Sequence, residues 1–278
     1  MKYELLIEKI FRRLPFFFAA QAARIQIVSG IRKTARKSLS HRTVTIYSGA
    51  GKGLKFNSGA SNPDSATGLY ELPVQRVLAD YLRNDDVFYD IGANIGFFSC
   101  IGARLVGESG HVYAFEPVVK NVNAIRRNVK LNRFDNVTII EKAVGRSNGK
   151  AQLLLTKNTG GHTLASAGAP HNVIDTQTVG VVSVDSLVST KAIEPPSVVK
   201  IDVEGAEVDV LSGMANTIKI YRPIIIYEID DEDIHAYKQK QENIELHLKR
   251  YEYRIEPLEE SYPGIRCKVG HAVGFPII

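Results

Sequence analysis

A chain of 278 residues, 44% hydrophobic and 23% charged, has the composition of an ordinary globular protein with material for one large core. Two cysteines, Cys100 and Cys267, exclude a disulfide framework, and the chain reads as reduced and cytosolic. The net charge of +5 is lopsided: residues 1–60 carry twelve Lys/Arg against Glu4 and Glu8, so the remainder is net acidic and no nucleic-acid partner is expected.

Leu6, Ile10, Leu14 and Phe18 recur every four residues, joined by Ile7, Phe11 and Phe17, with Lys2, Lys9, Arg12 and Arg13 opposite. This is an amphipathic helix pattern over residues 1–20, with Pro15 as a potential break. Leu14 to Ala20 is too short to span a bilayer. The usual fate of such a helix is packing on the body or on a second subunit. The alternative is peripheral contact with an anionic membrane, at its inner face. Residues 44–65 are rich in Gly, Ser and Asn and predict a small hairpin and loop. Asp64 to Thr67 then predicts the cap of a helix carrying Leu69, Leu72, Val77, Leu78 and Leu82.

A regular alternation follows. Strands are predicted at Val87–Ile91, His111–Phe115 and Val137–Ile140, with helices at Phe97–Val106 and Val118–Leu131. Residues 146–186 interrupt the rhythm with an inserted hairpin, its arms Gln152–Leu155 and Val179–Val184 flanking a polar loop, Lys157–Thr178. The alternation resumes with strands at Ser197–Asp202 and Pro223–Ile229 and helices at Ala206–Ile220 and Asp233–Lys249, and the tail supplies a final antiparallel pair. The fold class is α/β, a doubly wound sheet with helices on both faces. The organisation is an N-terminal helical and β extension, 1–67, followed by one domain, 68–278.

Three clusters carry chemistry. Asp90-Ile91-Gly92-Ala93-Asn94-Ile95-Gly96 sits at a strand-to-helix junction, where glycines allow a tight turn and the helix start offers free N–H groups. The spacing is not the G-x-G-x-x-G of a dinucleotide site, and Asp90 repels phosphate while suiting a ligand with a cationic amino acid head. Glu116 ends the second strand of the alternation, where a carboxylate accepts both hydroxyls of a ribose; its bland alternative is capping the helix after Pro117. Lys200-Ile201-Asp202-Val203-Glu204-Gly205-Ala206-Glu207 ends the strand expected beside the first, and Glu228 lies on the next. Three carboxylates at neighbouring strand ends require a cation among them: a sulfonium ligand, a metal or Lys200. Glu207 fits a helix cap.

Asp90 to Phe97, Ala114-Phe115-Glu116-Pro117, the turn from Asn136 to Gly145, Lys200 to Glu207 and Pro223 to Ile229 together resemble the FkbM-type methyltransferases, as does Tyr70-Glu71. The resemblance spans residues 68–230 and implies a Rossmann-like, seven-stranded class I methyltransferase sheet and S-adenosylmethionine as cofactor. It implies that Asp90, Gly92, Asn94 and Gly96, with Phe97, line the methionine end of the cofactor. By the same resemblance Glu116 holds the ribose, Glu141 to Ala143 flank the adenine, Glu71 comes from a helix that lids the cofactor, and Asp202 lies nearest the methyl group. The implied reaction is O-methylation of a hydroxyl on a sugar, glycolipid or other small molecule.

Such a hydroxyl needs its proton removed during attack. Asp202 is the first candidate base, and His162, on the inserted loop, the second. Asp202 and Glu228 offer only oxygen ligands, which suit Mg2+ as a minor variant; no His/Cys cluster is visible for a transition metal. Two other readings stay open: an NAD(P)-dependent oxidoreductase sharing the glycine turn and Glu116, and a non-catalytic cofactor-binding scaffold.

Overall fold

The computed structural model describes residues 41–59, 61–156, 163–165, 173–262 and 268–277. The predicted amphipathic helix, Cys267 and His162 lie outside them. Among the described residues no helix is long and apolar enough to cross a membrane.

A short pair, β1 (Val44–Thr45) and β2 (Lys55–Phe56), precedes two helices, α1 (Asp64–Thr67) and α2 (Leu72–Tyr81). The alternation runs β3 (Val87–Ile91), α3 (Phe97–Leu105), β4 (His111–Phe115), α4 (Val119–Asn132), β5 (Val137–Ile140). The insertion contains β6 (Ala143–Val144), β7 (Gly149–Thr156), β8 (Thr163–Leu164) and β9 (Val173–Val182). After α5 (Val184–Ser189) come β10 (Val198–Ile201), α6 (Glu207–Gly213), α7 (Ala215–Tyr221), β11 (Ile224–Asp231), α8 (Ile234–Lys249), β12 (Tyr253–Pro257) and β13 (Lys268–Pro276).

The main sheet has seven strands in the order β12-β13-β11-β10-β3-β4-β5. The strands from β11 to β5 pair in parallel, and β13 is antiparallel to both β11 and β12. This is the expected doubly wound fold. The chain winds outward from β3 to β5 and then returns to the other side of β3 at β10, so the switch point lies between β3 and β10. Ligand crevices in such sheets form there, outside the carboxyl ends of the strands.

Period-two alternation divides the central strands between two cores. Tyr89, Ile91, Val199, Ile201, Ile225 and Tyr227 fill one face. Phe88, Val198, Ile226 and Val273 fill the other, under α2 and α3, together with Ile46, Leu54 and Phe56 around the β1–β2 pair. That pair is anchored by two amides one helical turn apart on α4. Asn132 accepts from Lys55 N and donates to Lys55 O, both at 2.8 Å. Asn128, fully buried, accepts from Asn57 N (3.0 Å) and donates to Ile95 O (2.9 Å).

The structure departs from the predicted elements in three places. Asp64 to Thr67 is a one-turn helix of its own rather than the cap of the next, because Gly68 ends it in the left-handed region (φ 81°), passing so close to Ser48 that a Cβ would lie 2.1 Å from its carbonyl oxygen. Val173 to Thr178, read as loop, continues β9, which pairs with β7 along its length. These residues are mostly exposed, so backbone pairing rather than burial holds them and no apolar alternation marks them. Finally, the helix predicted over 206–220 breaks at Met214 (φ −124°, ψ 21°) into α6 and α7.

Replacing Asn128 with Ala leaves the Asn57 N–H and Ile95 carbonyl without their partner. The expected loss is about 1–3 kcal/mol of stability, read as a lower denaturant midpoint at unchanged slope. An unchanged midpoint would show that this amide does not hold the N-terminal strands to the body.

Candidate active site

The turn from β3 to α3 is shaped by close backbone approach. Gly92 has φ 83°, and a Cβ there would lie 1.8 Å from the carbonyl oxygen of Asp202. Only glycine lets the end of β3 lie this tightly against β10, where Asp202 N donates to Ile91 O (3.0 Å). The Asp90 carboxyl is buried beneath the turn and accepts from the Ser99 hydroxyl (2.5 Å) through Oδ2. Its Oδ1, and Oδ1 of Asn94, are buried with no hydrogen-bond partner. Burial raises the Asp90 pKa, against the opposing pull of Lys200.

Glu116, at the end of β4, joins two turns. Its Oε2 accepts from Asn94 N and its Oε1 from Val118 N, each at 2.9 Å. The capping role and an opening into the cleft therefore coexist, since a carboxylate has about four acceptor positions and the backbone takes two. Burial lifts its pKa to about 7, against these hydrogen bonds.

Glu207, expected to cap the next helix, does not do so, since α6 has no side-chain cap; its Oε1 accepts from Gly205 N (2.9 Å) and braces the turn after Asp202 instead. Lys200 stands opposite Asp90 in the β10–β3 register and donates to Asp202 Oδ2 at 2.8 Å. Its ammonium lies 4.8 Å above the Phe98 ring. Burial disfavours this charge, but the carboxylates of Asp202, Glu71 and Asp90 outweigh burial and raise the pKa. Lys200 is thus the cation among the strand-end acids, and burial raises the Asp202 pKa despite it. A second group was not legible in the sequence. His271, on β13, stands opposite Glu228 on β11, and its Nε2 is 2.8 Å from Glu228 Oε2 and 3.3 Å from Glu71 Oε2. Burial opposes protonation of His271, but the two carboxylates raise its pKa to about 10. The acid expected to share oxygen ligation with Asp202, Glu228, is grouped instead with Glu71 and this single histidine. Tail residue and strand acid meet only through the antiparallel register.

Of these groups, Glu116, Asp202 and Glu228 line a cleft at the switch point that is open to solvent; Asp90, Lys200, Glu71 and His271 are buried and do not line it. Gly92, Asn94 and Glu116 form one side; Asp202, Glu204 and Glu228 form a second. The third is Lys142 and Ala143, of the turn expected there, with Leu153 and Leu164, which were not anticipated. Several expected contacts fall elsewhere. Glu141 is half exposed and paired with Arg126, because the bend before β6 turns its neighbours, not its own side chain, toward the cleft. Gly96 packs against Ile125 of α4. Phe97 is buried edge-on against Phe56 (5.5 Å) and Tyr70 (5.7 Å), supporting Tyr70, which does reach the cleft. Glu71 precedes α2 in a left-handed conformation (φ 44°), with its carboxylate turned inward to His271 and Tyr262 rather than lidding the cleft.

The raised pKa of Glu116 has a definite sign. The free protein favours the protonated carboxyl up to about pH 7, so the stability this group contributes is full below the ordinary value of 4.5 and lost as pH rises through 7. A diol donating to the carboxylate gains over the same rise. Calorimetric affinity for S-adenosylhomocysteine is expected to increase roughly tenfold from pH 6 to pH 8 and to lose this dependence in Glu116→Gln. A flat wild-type profile would remove Glu116 from the diol site.

Residues 90–269 match the family model described as methyltransferase FkbM domain. Hexuronic acid methyltransferase AglP of Haloferax volcanii is 30% identical over 170 residues, 60% of this chain and 63% of that protein, so the chain spans less than two thirds of that relative. A protein-L-isoaspartate O-methyltransferase of Methanothrix thermoacetophila is 37% identical over 59 residues, 21% of this chain and 28% of that protein. Among solved structures, methyltransferase FkbM of Methylobacillus flagellatus KT superposes with a TM-score of 0.46 at 18% identity, covering 69% of this chain and 44% of that one. The family match covers more than half of the chain and contains the glycine turn, Glu116 and the Lys200 to Glu207 segment. The chain belongs to the FkbM methyltransferase family.

Proposed function

We propose that the protein transfers a methyl group from S-adenosylmethionine to a hydroxyl oxygen of a sugar or sugar-containing acceptor. The observation that carries this reading is the convergence of Asp90, Asn94, Glu116 and Asp202 on the carboxyl ends of β3, β4 and β10. The donor fits the groups present. The buried, unpartnered Oδ1 atoms of Asp90 and Asn94 are acceptors suited to an amino acid's ammonium, and Glu116 is suited to a ribose diol. Bound there, S-adenosylmethionine supplies a methyl group already activated on a sulfonium.

The protein's own work is positioning and proton removal. Lys200 fixes the Asp202 carboxylate through Oδ2, and Asp202 borders the cleft. Its raised pKa makes it a better proton acceptor than an exposed aspartate. His162 stays the second candidate base on sequence grounds alone. The AglP relative supports a sugar acceptor, and Leu153 and Leu164 offer an apolar wall to a flat ring such as adenine.

The test is calorimetry with S-adenosylhomocysteine and NADH, then mass-spectrometric detection of methyl transfer to uronic acid and neutral sugar acceptors. Binding of the first alone is expected, whereas binding of NADH alone would overturn the donor assignment. Asp202→Asn should keep S-adenosylhomocysteine affinity within about twofold and lower kcat by roughly 10²–10⁴. Full activity in that variant would remove Asp202 as the base, and bound donor with no turnover on any sugar would remove the acceptor class.

A further inference from the structure

Glu71, Glu228 and His271 are brought together from three separate elements, and one donor atom of each lies within 4.8 Å of the other two. We propose that they form a binding site for one first-row divalent transition-metal ion of the zinc or manganese class, at the edge of the methyl-transfer cleft.

The argument begins with proton counting. Nε2 of His271 faces two carboxylate oxygens, Glu228 Oε2 at 2.8 Å and Glu71 Oε2 at 3.3 Å. One N–H has one proton, and it serves the nearer oxygen; Glu71 Oε2 is left fully buried without a hydrogen bond. A divalent cation that displaces the Nε2 proton into solvent satisfies both oxygens and the nitrogen lone pair together. Donors about 2.1 Å from a common ion lie roughly 3.0–3.4 Å apart at angles between 90° and 110°; Nε2 lies 2.8 Å and 3.3 Å from the two oxygens, and all three atoms are within 4.8 Å of one another.

The surrounding groups orient these donors as second partners do at metal sites. Nδ1 of His271 is 3.3 Å from the Ser261 hydroxyl, an acceptor for the Nδ1–H tautomer that leaves Nε2 free to ligate. Tyr262 donates to Oε1 of Glu71 at 2.6 Å, which turns Oε2 toward the histidine. Charge agrees. Asp90, Asp202, Glu71 and Glu228 are four carboxylates around Lys200, whose ammonium is committed to Asp202. A divalent ion in place of the Nε2 proton adds one positive charge beside Glu71 and Glu228. One imidazole and two carboxylates are a mixed donor set that favours a transition ion over Mg2+. Glu228 also borders the cleft, so an ion held here has open positions toward an acceptor oxygen. That last role rests on the methyltransferase reading; the site itself does not.

The probe is Co2+ added to the full chain after EDTA treatment and dialysis, followed by visible d–d absorption, with Zn2+ and Mn2+ measured by calorimetry. One ion per chain at micromolar affinity is expected, undiminished by millimolar Mg2+. His271→Ala and Glu228→Gln should each weaken it about 100-fold, while in His271→Ala, outside the cleft lining, S-adenosylhomocysteine affinity stays within about twofold and certifies the fold. Glu228→Gln keeps the side chain's size and serves if His271→Ala does not fold. No d–d band and no heat with any of the three ions would overturn the site, as would Co2+ binding unchanged in both variants. S-adenosylhomocysteine binding and turnover in EDTA are scored separately, so a failed metal site with intact turnover leaves the methyltransferase reading standing.

Discussion

The buried ammonium of Lys200 is the charge on which the active site depends. Asp90 stands beside it in the β3–β10 register, Asp202 accepts a hydrogen bond from it, and Glu71, just before α2, and Glu228, on β11, act on it through their charges. Strand periodicity explains why these groups meet. Asp90, Lys200, Glu228 and His271 occupy the strand face that includes Phe88, Val198, Ile226 and Val273. Toward the carboxyl ends of the strands that face changes from apolar to ionic. Burying so many acids is costly unless cations are set among them, and a pair broken on one side leaves an uncompensated charge. The site is therefore an electrostatic unit spread over four strands, in which no single acid can be understood without Lys200.

A second constraint couples the glycine turn to its neighbours through the backbone. Gly92 lies against the Asp202 carbonyl, and Glu116 accepts N–H groups from both Asn94 and Val118. The ends of β3, β4 and β10 are thereby held in one arrangement before any ligand arrives. Such preorganisation lowers the ordering cost of binding. The same arrangement leaves Oδ1 of Asp90 and of Asn94 buried without a hydrogen-bond partner. The inserted sheet also lines the cleft, through Leu153 and Leu164, so its wall comes partly from outside the main sheet.

Much of this was legible in the sequence. Strand positions followed from short apolar runs ending in Gly92, Glu116 and Asp202, and the strand–helix rhythm implied parallel pairing. The suspicion that Lys200 is a partner for the acids held, whereas Glu207 braces the turn before α6 rather than capping the helix. Less legible were residues whose role depends on contacts distant in the chain. Phe97 sits within the most telling motif, yet its ring serves packing with Phe56 and Tyr70. Glu141 stands next to cleft residues and faces solvent. Motif membership locates a turn to within a residue or two; which side chain the turn directs inward is set by local backbone geometry.

By itself the sequence determined the α/β alternation, the place of the ligand crevice and the family, because these depend on hydrophobic period and on short, contiguous motifs. Only the tertiary structure decided that β13 runs antiparallel to β11 in the register that sets His271 against Glu228, and that Glu71 turns inward to meet both. Hydrophobic period records which face a strand buries. Pairing register between segments more than forty residues apart leaves no periodic trace, and that register gathers His271, Glu228 and Glu71 into one cluster.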